Sequence, residues 1–295
     1  MFYIPNSLKF LVLTSALLAL QTSASLAQHS DVLLADVGGQ VAIGTAEEIG
    51  DPNNEAFALG AGAFETILLP GFPPVFLTDY FADEPGFFGL DAIGRASELA
   101  ALGANALPGG AAVSISTTSF TIDGASAELF YWDGLGAVDF DPAPAGTTFS
   151  FNPSASFASS GANGAMDDHP VYQLDAAGGG APADGVYLIS PVIDVAGLTT
   201  SDSFYMVLLA ESLIGSVNIA EDDAEAIEEH LEELEAGGNP NDVDFGNGNV
   251  KGFAFFEEAV EYVEENLVIP EPATGLSALI ALALLIPARN RCRMQ

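Results

Sequence analysis

Asp167-Asp168-His169 places two carboxylates directly before an imidazole, and His29 supplies a second imidazole near the start of the chain. These are ligand types for a divalent metal: imidazole suits zinc and its neighbours, and carboxylate completes a borderline-hard site. The four residues can act together only if the fold brings them together. The plain alternative is an exposed His29 and an ordinary turn-to-strand Asp-Asp-His-Pro. A second cation candidate is the loop Asp242-Val-Asp244-Phe-Gly246-Asn247-Gly248-Asn249. It has the composition of a calcium loop. However, Gly246 stands where a ligand belongs, and the closing Glu is missing. Tyr131-Trp132 is an aromatic pair able to face sugar, but it reads first as a core pair in a strand.

Other chemistry leaves no trace. There is no G-x-S-x-G elbow, no P-loop and no H-E-x-x-H, and the one cysteine is Cys292. Gly246 to Gly252 has the wrong spacing for a dinucleotide loop. Acidic pairs are so common here that a glycosidase pair carries no information. His230 lies on an acidic helix face and is expected to be solvated.

The charge balance narrows the partners. The formal net charge is −35, and 41 residues are acidic. Between Gln28 and Ile269 the only bases are Arg95 and Lys251, against all of the acids but Glu271. Nucleic acid is excluded, because binding it requires neutralising phosphates with Lys and Arg. Divalent cations are favoured by the same field.

Around these residues the chain reads as mainly β. Asp31 to Val37, Gly38-Gly39 and Gln40 to Thr45 predict a hairpin with a tight glycine turn. Further strands are expected at 112–122, 127–132, 147–151, 170–174, 185–195 and 203–209. A short helix is expected within 90–102. Many short strands separated by Gly, Pro, Asn and Asp suggest an antiparallel β-sandwich-like domain over 28–215. The Gly-, Ala- and Ser-rich stretches 152–165 and 176–185 read as long surface loops.

An acidic helical segment follows over 216–268. Ile227, Leu231 and Leu234 mark the apolar stripe of one helix over 219–236, and Gly237-Gly238 ends it. Nine of the fifteen residues from Glu221 to Glu235 are acidic. Pairs such as Glu225/Glu229 repel at i, i+4 with no basic partner. Such a helix must be held by its apolar stripe or by bound cations. A second helix over 255–267 carries Ala259, Val260, Val263 and Leu267 on one face.

The two ends address export. Phe10 to Leu20 is apolar apart from Thr14 and Ser15, and Ser25-Leu26-Ala27 offers small residues for a signal peptidase. Residues 1–27 are read as a secretory signal peptide. Ala273 to Ala288 has no charge, and as a helix it reaches about 24 Å, slightly short of a ~30 Å hydrocarbon core. Arg289, Arg291 and Arg293 follow directly and are expected to stay on the cytoplasmic side. The expected architecture therefore ends in a C-terminal transmembrane helix.

Pro270-Glu271-Pro272, the short apolar helix and the arginine cluster, in that order over 269–295, resemble the PEP-CTERM sorting signal of bacterial surface proteins. Pro287 before the arginines departs from the usual form. The resemblance implies an exosortase-type membrane enzyme as processing partner, with Pro270, Glu271, Pro272, Arg289, Arg291 and Arg293 as the recognised signal. It also implies export across the inner membrane of a Gram-negative-type bacterium that makes extracellular polysaccharide. The protein would stay anchored until processed, then reach the surface or medium. The body is similar to uncharacterised members of that group in His29-Ser30-Asp31-Val32, Asp168-His169-Pro170-Val171-Tyr172 and Gly185-Val186-Tyr187-Leu188; this likeness implies no activity.

The sequence thus reads as an exported, acidic cell-surface or matrix protein without catalysis or a resident cofactor. One alternative is a surface module that binds carbohydrate or a metal ion, zinc or calcium. Another is a secreted hydrolase with an unrecognised site.

Overall fold

The computed structural model describes residues 31–48, 55–60, 62–71 and 80–268. The expected signal peptide, His29, the expected sorting signal at Pro270-Glu271-Pro272 and the apolar tail with its arginines lie outside the described residues. Among the described residues, no helix is long and apolar enough to cross a membrane.

The chain is mainly β, with helices on one side. An eight-stranded sheet runs in the order Asp141–Pro142, Leu129–Trp132, Gly185–Ile189, Tyr205–Ala210, Ala63–Pro70, Tyr80–Ala82, Val171–Asp175 and Thr148–Asn152. A five-stranded sheet has the order Met166–Asp168, Phe87–Gly89, Asp31–Val37, Gln40–Glu48 and Glu55–Leu59. A three-stranded sheet is built from Ser156–Ser159, Ala112–Thr117 and Pro191–Val195.

Not all pairing is antiparallel. Tyr205–Ala210 runs parallel to Ala63–Pro70, and Asp31–Val37 runs parallel to Phe87–Gly89. A purely antiparallel architecture is therefore corrected to mixed sheets. Parallel neighbours need crossovers, and these carry the chain between layers.

One core lies between the large sheet and the two smaller ones. It joins Val32, Leu34, Val113 and Ile193 to Phe64, Leu68, Tyr172, Tyr187 and Met206. The other face of the large sheet is covered by two helices, α2 (Ala220–Glu235) and α3 (Ala254–Asn266); α1 is the short helix Ala96–Leu102. Ile227, Leu231, Phe256, Val260 and Val263 from the helices meet Ile67, Phe130, Val186, Val207 and Leu209 from the sheet. Tyr205–Ala210 and Gly185–Ile189 are buried on both faces, which explains their unbroken apolar runs. The acidic helices are thus held by their apolar stripes against the sheet.

The Gly38-Gly39 hairpin forms as expected. Both glycines have positive φ, +63° and +91°, as a tight two-residue turn demands. The stretch 185–195 is two strands, not one: it bends at Ser190, and its halves join different sheets. The stretch 112–122 likewise divides, with Ala112–Thr117 in the three-stranded sheet and Phe120–Ile122 paired with Ala125–Ala127. The presumed loop 152–165 contains the strand Ser156–Ser159, and Ser160 in it is buried. Its hydroxyl donates to the Pro108 carbonyl at 2.6 Å and accepts from the Ala111 N–H at 2.9 Å. This explains why a small polar residue can be buried there.

Candidate metal centre

The site forms at one edge of the five-stranded sheet, where three strands end in step. Val32, Phe87 and Asp168 are register partners across three adjacent strands. One residue beyond that row come Asp31, Gly86 and His169. Gly86 stands in the middle, and the absence of its side chain lets His169 and Asp31 close in on its backbone. A Cβ there would lie 2.5 Å from His169 Cε1, 2.7 Å from Nε2 and 2.8 Å from Asp31 Oδ1. The backbone at Gly86 has no positive φ, so the glycine serves space and not conformation.

The turn before it is anchored from the large sheet. The buried Tyr172 hydroxyl donates to the Pro85 carbonyl, and the Thr66 hydroxyl donates to the Glu84 carbonyl. These bonds fix the segment 84–86 over the edge. The Gly86 N–H then donates to both Asp31 Oδ1 at 2.8 Å and Glu84 Oε2 at 3.0 Å.

His169 closes the cluster. Its Nδ1 donates to the Asp83 carbonyl at 3.1 Å and lies 3.4 Å from Glu84 Oε1. That bond leaves Nε2 as the lone-pair nitrogen, 3.5 Å from Asp167 Oδ1. A backbone carbonyl that orients one ring nitrogen while the other faces acidic oxygens is the usual outer support of a metal-binding histidine. One potential ligand atom from each of Asp31, Glu84 and His169 lies within 4.8 Å of the other two. Asp31 is partly buried, while Glu84 and His169 are exposed, so an ion has an open approach.

The electrostatics agree with a cation site. Burial lowers the His169 pKa, but the Glu84 carboxylate, the Asp83 carbonyl, Asp31 and Asp167 together raise it above the ordinary value. Burial raises the Glu84 pKa; the His169 charge and the Gly86 N–H lower it, while Asp31 and Asp83 raise it further. The pocket is thus rich in negative charge, from Asp31, Glu84 and Asp167 around one imidazole.

Of the four residues expected from sequence, His169 stands in the cluster, and Asp167 lies beside it, its Oδ1 3.5 Å from His169 Nε2. Asp168 does not join them: strand alternation turns it to the face opposite Asp167. His29 lies outside the described residues, two positions before Asp31. Asp31 and Glu84, which complete the cluster, were not singled out from the sequence. Asp31 stands within the quoted His29-Ser30-Asp31 motif, and the Glu84-Pro85-Gly86 turn carries no ligand signature of its own.

Other candidates resolve differently. The loop 242–249 is the turn of a small hairpin, Val243–Asp244 with Val250–Lys251, and Asp244 Oδ1 accepts the Gly246 N–H at 2.8 Å. Trp132 is buried, and Tyr131 packs on Tyr187 with ring centroids 4.9 Å apart, so the pair is structural. His230 corrects the sequence expectation. It is buried, its Nδ1 donates to the Asn241 carbonyl at 3.0 Å, and its Nε2 accepts the Phe253 N–H at 3.2 Å.

No protein-family model, curated protein or solved structure matches the chain.

Proposed function

We propose that this chain is an exported, non-catalytic surface or matrix protein whose β-sandwich-like body binds a divalent transition-metal ion at Asp31, Glu84 and His169, with Asp167 beside them. The observation that carries the metal reading is the convergence of one ligand atom each from Asp31, Glu84 and His169 within 4.8 Å of one another. Imidazole with carboxylates selects zinc and related ions over purely hard ones. The open approach suits reversible capture, or a bridge to an external ligand such as an acidic polysaccharide.

Export is supported by the sequence at both ends: the apolar leader with its Ser25-Leu26-Ala27 site, and the Pro270-Glu271-Pro272 signal with the arginines behind an apolar segment. An exosortase-type enzyme is the processing partner in this reading. The strongly acidic body remains in the medium or at the surface.

The metal reading is tested by thermal unfolding with and without Zn²⁺ after EDTA treatment. A bound ion raises the midpoint by mass action, as RT ln(1 + [L]/Kd). The rise must disappear in His169→Gln. A zinc response equal in wild type and variant, or none at all, removes the metal site. Export is tested by mass spectrometry of both termini of protein from its native cells. A start near Gln28 and an end near Pro270 support sorting; an intact end at Gln295 refutes it.

A further inference from the structure

A second set of acids lies between the large sheet and the helices, and its chemistry differs. Strand Ala63–Pro70 alternates. Phe64 and Leu68 enter the central core, while Ile67 and Leu69 face the helices. Glu65 shares the face of Ile67, so its carboxylate points into the apolar layer under α2 and α3. There it meets Glu235, the last residue of α2, and Glu257, in the first turn of α3. One carboxylate oxygen from each of the three lies within 4.8 Å of the other two.

This grouping is costly as it stands. Glu65 is partly buried, as are Glu235 and Glu257. Its Oε1 and the Glu257 Oε2 are shut off from solvent and have no hydrogen-bond partner among the described residues. A buried unpaired carboxylate oxygen loses its hydration without replacement. Further acids surround the group: Glu232 on α2, and Glu261 and Glu264 on α3. The two described Lys and Arg residues are engaged elsewhere. Arg95 pairs with Glu98, and Lys251 with Glu211. The last turn of α2 contains no basic residue, so the negative end of its dipole also faces this region.

We propose that Glu65, Glu235 and Glu257 bind a calcium ion that clamps both C-terminal helices to the large sheet. The donors are all carboxylate oxygens, which selects a hard cation, and three acids from three elements suit the flexible, oxygen-rich coordination of Ca²⁺. Glu65 Oε1 and Glu257 Oε2 are the lone pairs the ion would satisfy. Glu264 adds charge, as its Oε1 lies 3.7 Å from where a Gly62 Cβ would stand, beside the strand that carries Glu65. The ion would join an interlayer contact that otherwise opposes itself electrostatically. The affinity expected for an exported module is about 10⁻⁴–10⁻³ M. The site shares no residue with the His169 cluster, so the two succeed or fail separately.

The test is thermal unfolding and calorimetric titration of EDTA-treated protein with Ca²⁺, in buffer of matched ionic strength. The result expected is a saturable rise in midpoint with one equivalent bound, present in His169→Gln and absent in the double variant Glu65→Gln/Glu257→Gln. These isosteric changes remove charge and not volume. Should the double variant not fold, Glu235→Gln, at the helix end, must still weaken binding about 10–100-fold, the usual effect of disturbing a metal's protein surroundings. No saturable rise in wild type overturns the proposal. So does a rise that Glu65→Gln/Glu257→Gln or Glu235→Gln leaves unchanged, which marks general screening of an acidic surface.

Discussion

Lys251 Nζ is ion-paired with Glu211 Oε2 at the end of the central strand Tyr205–Ala210. Glu211 is 1% exposed, and Lys251 is one of only two bases between residues 28 and 269. The same ammonium lies over the Phe253 and Phe255 rings, 5.9 and 5.2 Å from their centroids. Glu211 Oε1 accepts the Leu213 N–H at 3.0 Å, so both carboxylate oxygens are engaged. The pair ties the hairpin before α3 to the large sheet.

Lys251→Met is therefore expected to destabilise strongly. Removing one partner of a buried pair leaves the other charge uncompensated, at a cost of roughly 3 kcal/mol. Partial exposure of Lys251 places the effect at the low end. Adding Glu211→Gln to Lys251→Met should recover part of the loss. Urea unfolding of the wild type, both single variants and the double variant measures the coupling.

At the His169 cluster the ligands should separate from their neighbours. Glu84→Gln and Asp31→Asn are expected to weaken Zn²⁺ stabilisation at least tenfold in affinity, whereas Asp168→Asn leaves it unchanged. Zinc-dependent midpoint shifts in the three variants check the assignment. An equal loss in Asp168→Asn would contradict it.

Gly86→Ala tests the close approach of His169 and Asp31 directly. The added methyl falls on His169 and Asp31 Oδ1 without straining the backbone. Zinc binding should be lost while the circular dichroism spectrum stays that of the wild type. Retained binding in Gly86→Ala would place the ion elsewhere.

The acids under the helices predict a pH dependence of stability in metal-free protein. Burial, with Glu235, Glu257 and Glu264 nearby, raises the Glu65 pKa well above the ordinary 4.5. Burial, then Glu257, Glu232 and Glu264, raises Glu235 to about 8; burial, then Glu261 and Glu264, raises Glu257 to about 7. The folded state thus holds more protons than the unfolded state between these values, and stability falls as pH rises. The contribution is full below about 4.5 and is lost as pH passes about 7 and about 8. Midpoints between pH 5 and 8.5 should fall more steeply in wild type than in Glu65→Gln/Glu235→Gln. Parallel slopes would assign the trend to net charge alone.

Local chemistry was legible where it was set by near neighbours. The Gly38-Gly39 turn, the apolar stripes of α2 and α3, and the neighbouring carboxylate and imidazole of Asp167 and His169 all follow from spacing. Strand Ala63–Pro70 was not legible, because it is apolar on both faces and interrupted by Glu65, so period-two alternation is lost. The proposed metal centre was half legible. Asp31 and Glu84 reach His169 through a parallel pairing and a turn anchored by Tyr172, neither of which leaves a local pattern. His230 misled for a related reason: its helix neighbours are acidic, but its burying partner Phe253 arrives from just before the next helix.

The central claim is a metal ion at the edge of the five-stranded sheet, and calorimetric titration of EDTA-treated protein with Zn²⁺ tests it most directly. The account predicts one equivalent bound by wild type, and none at that site in His169→Gln under the same conditions. Wild type that takes up no zinc, or His169→Gln that binds it with the same stoichiometry and affinity, would contradict the account.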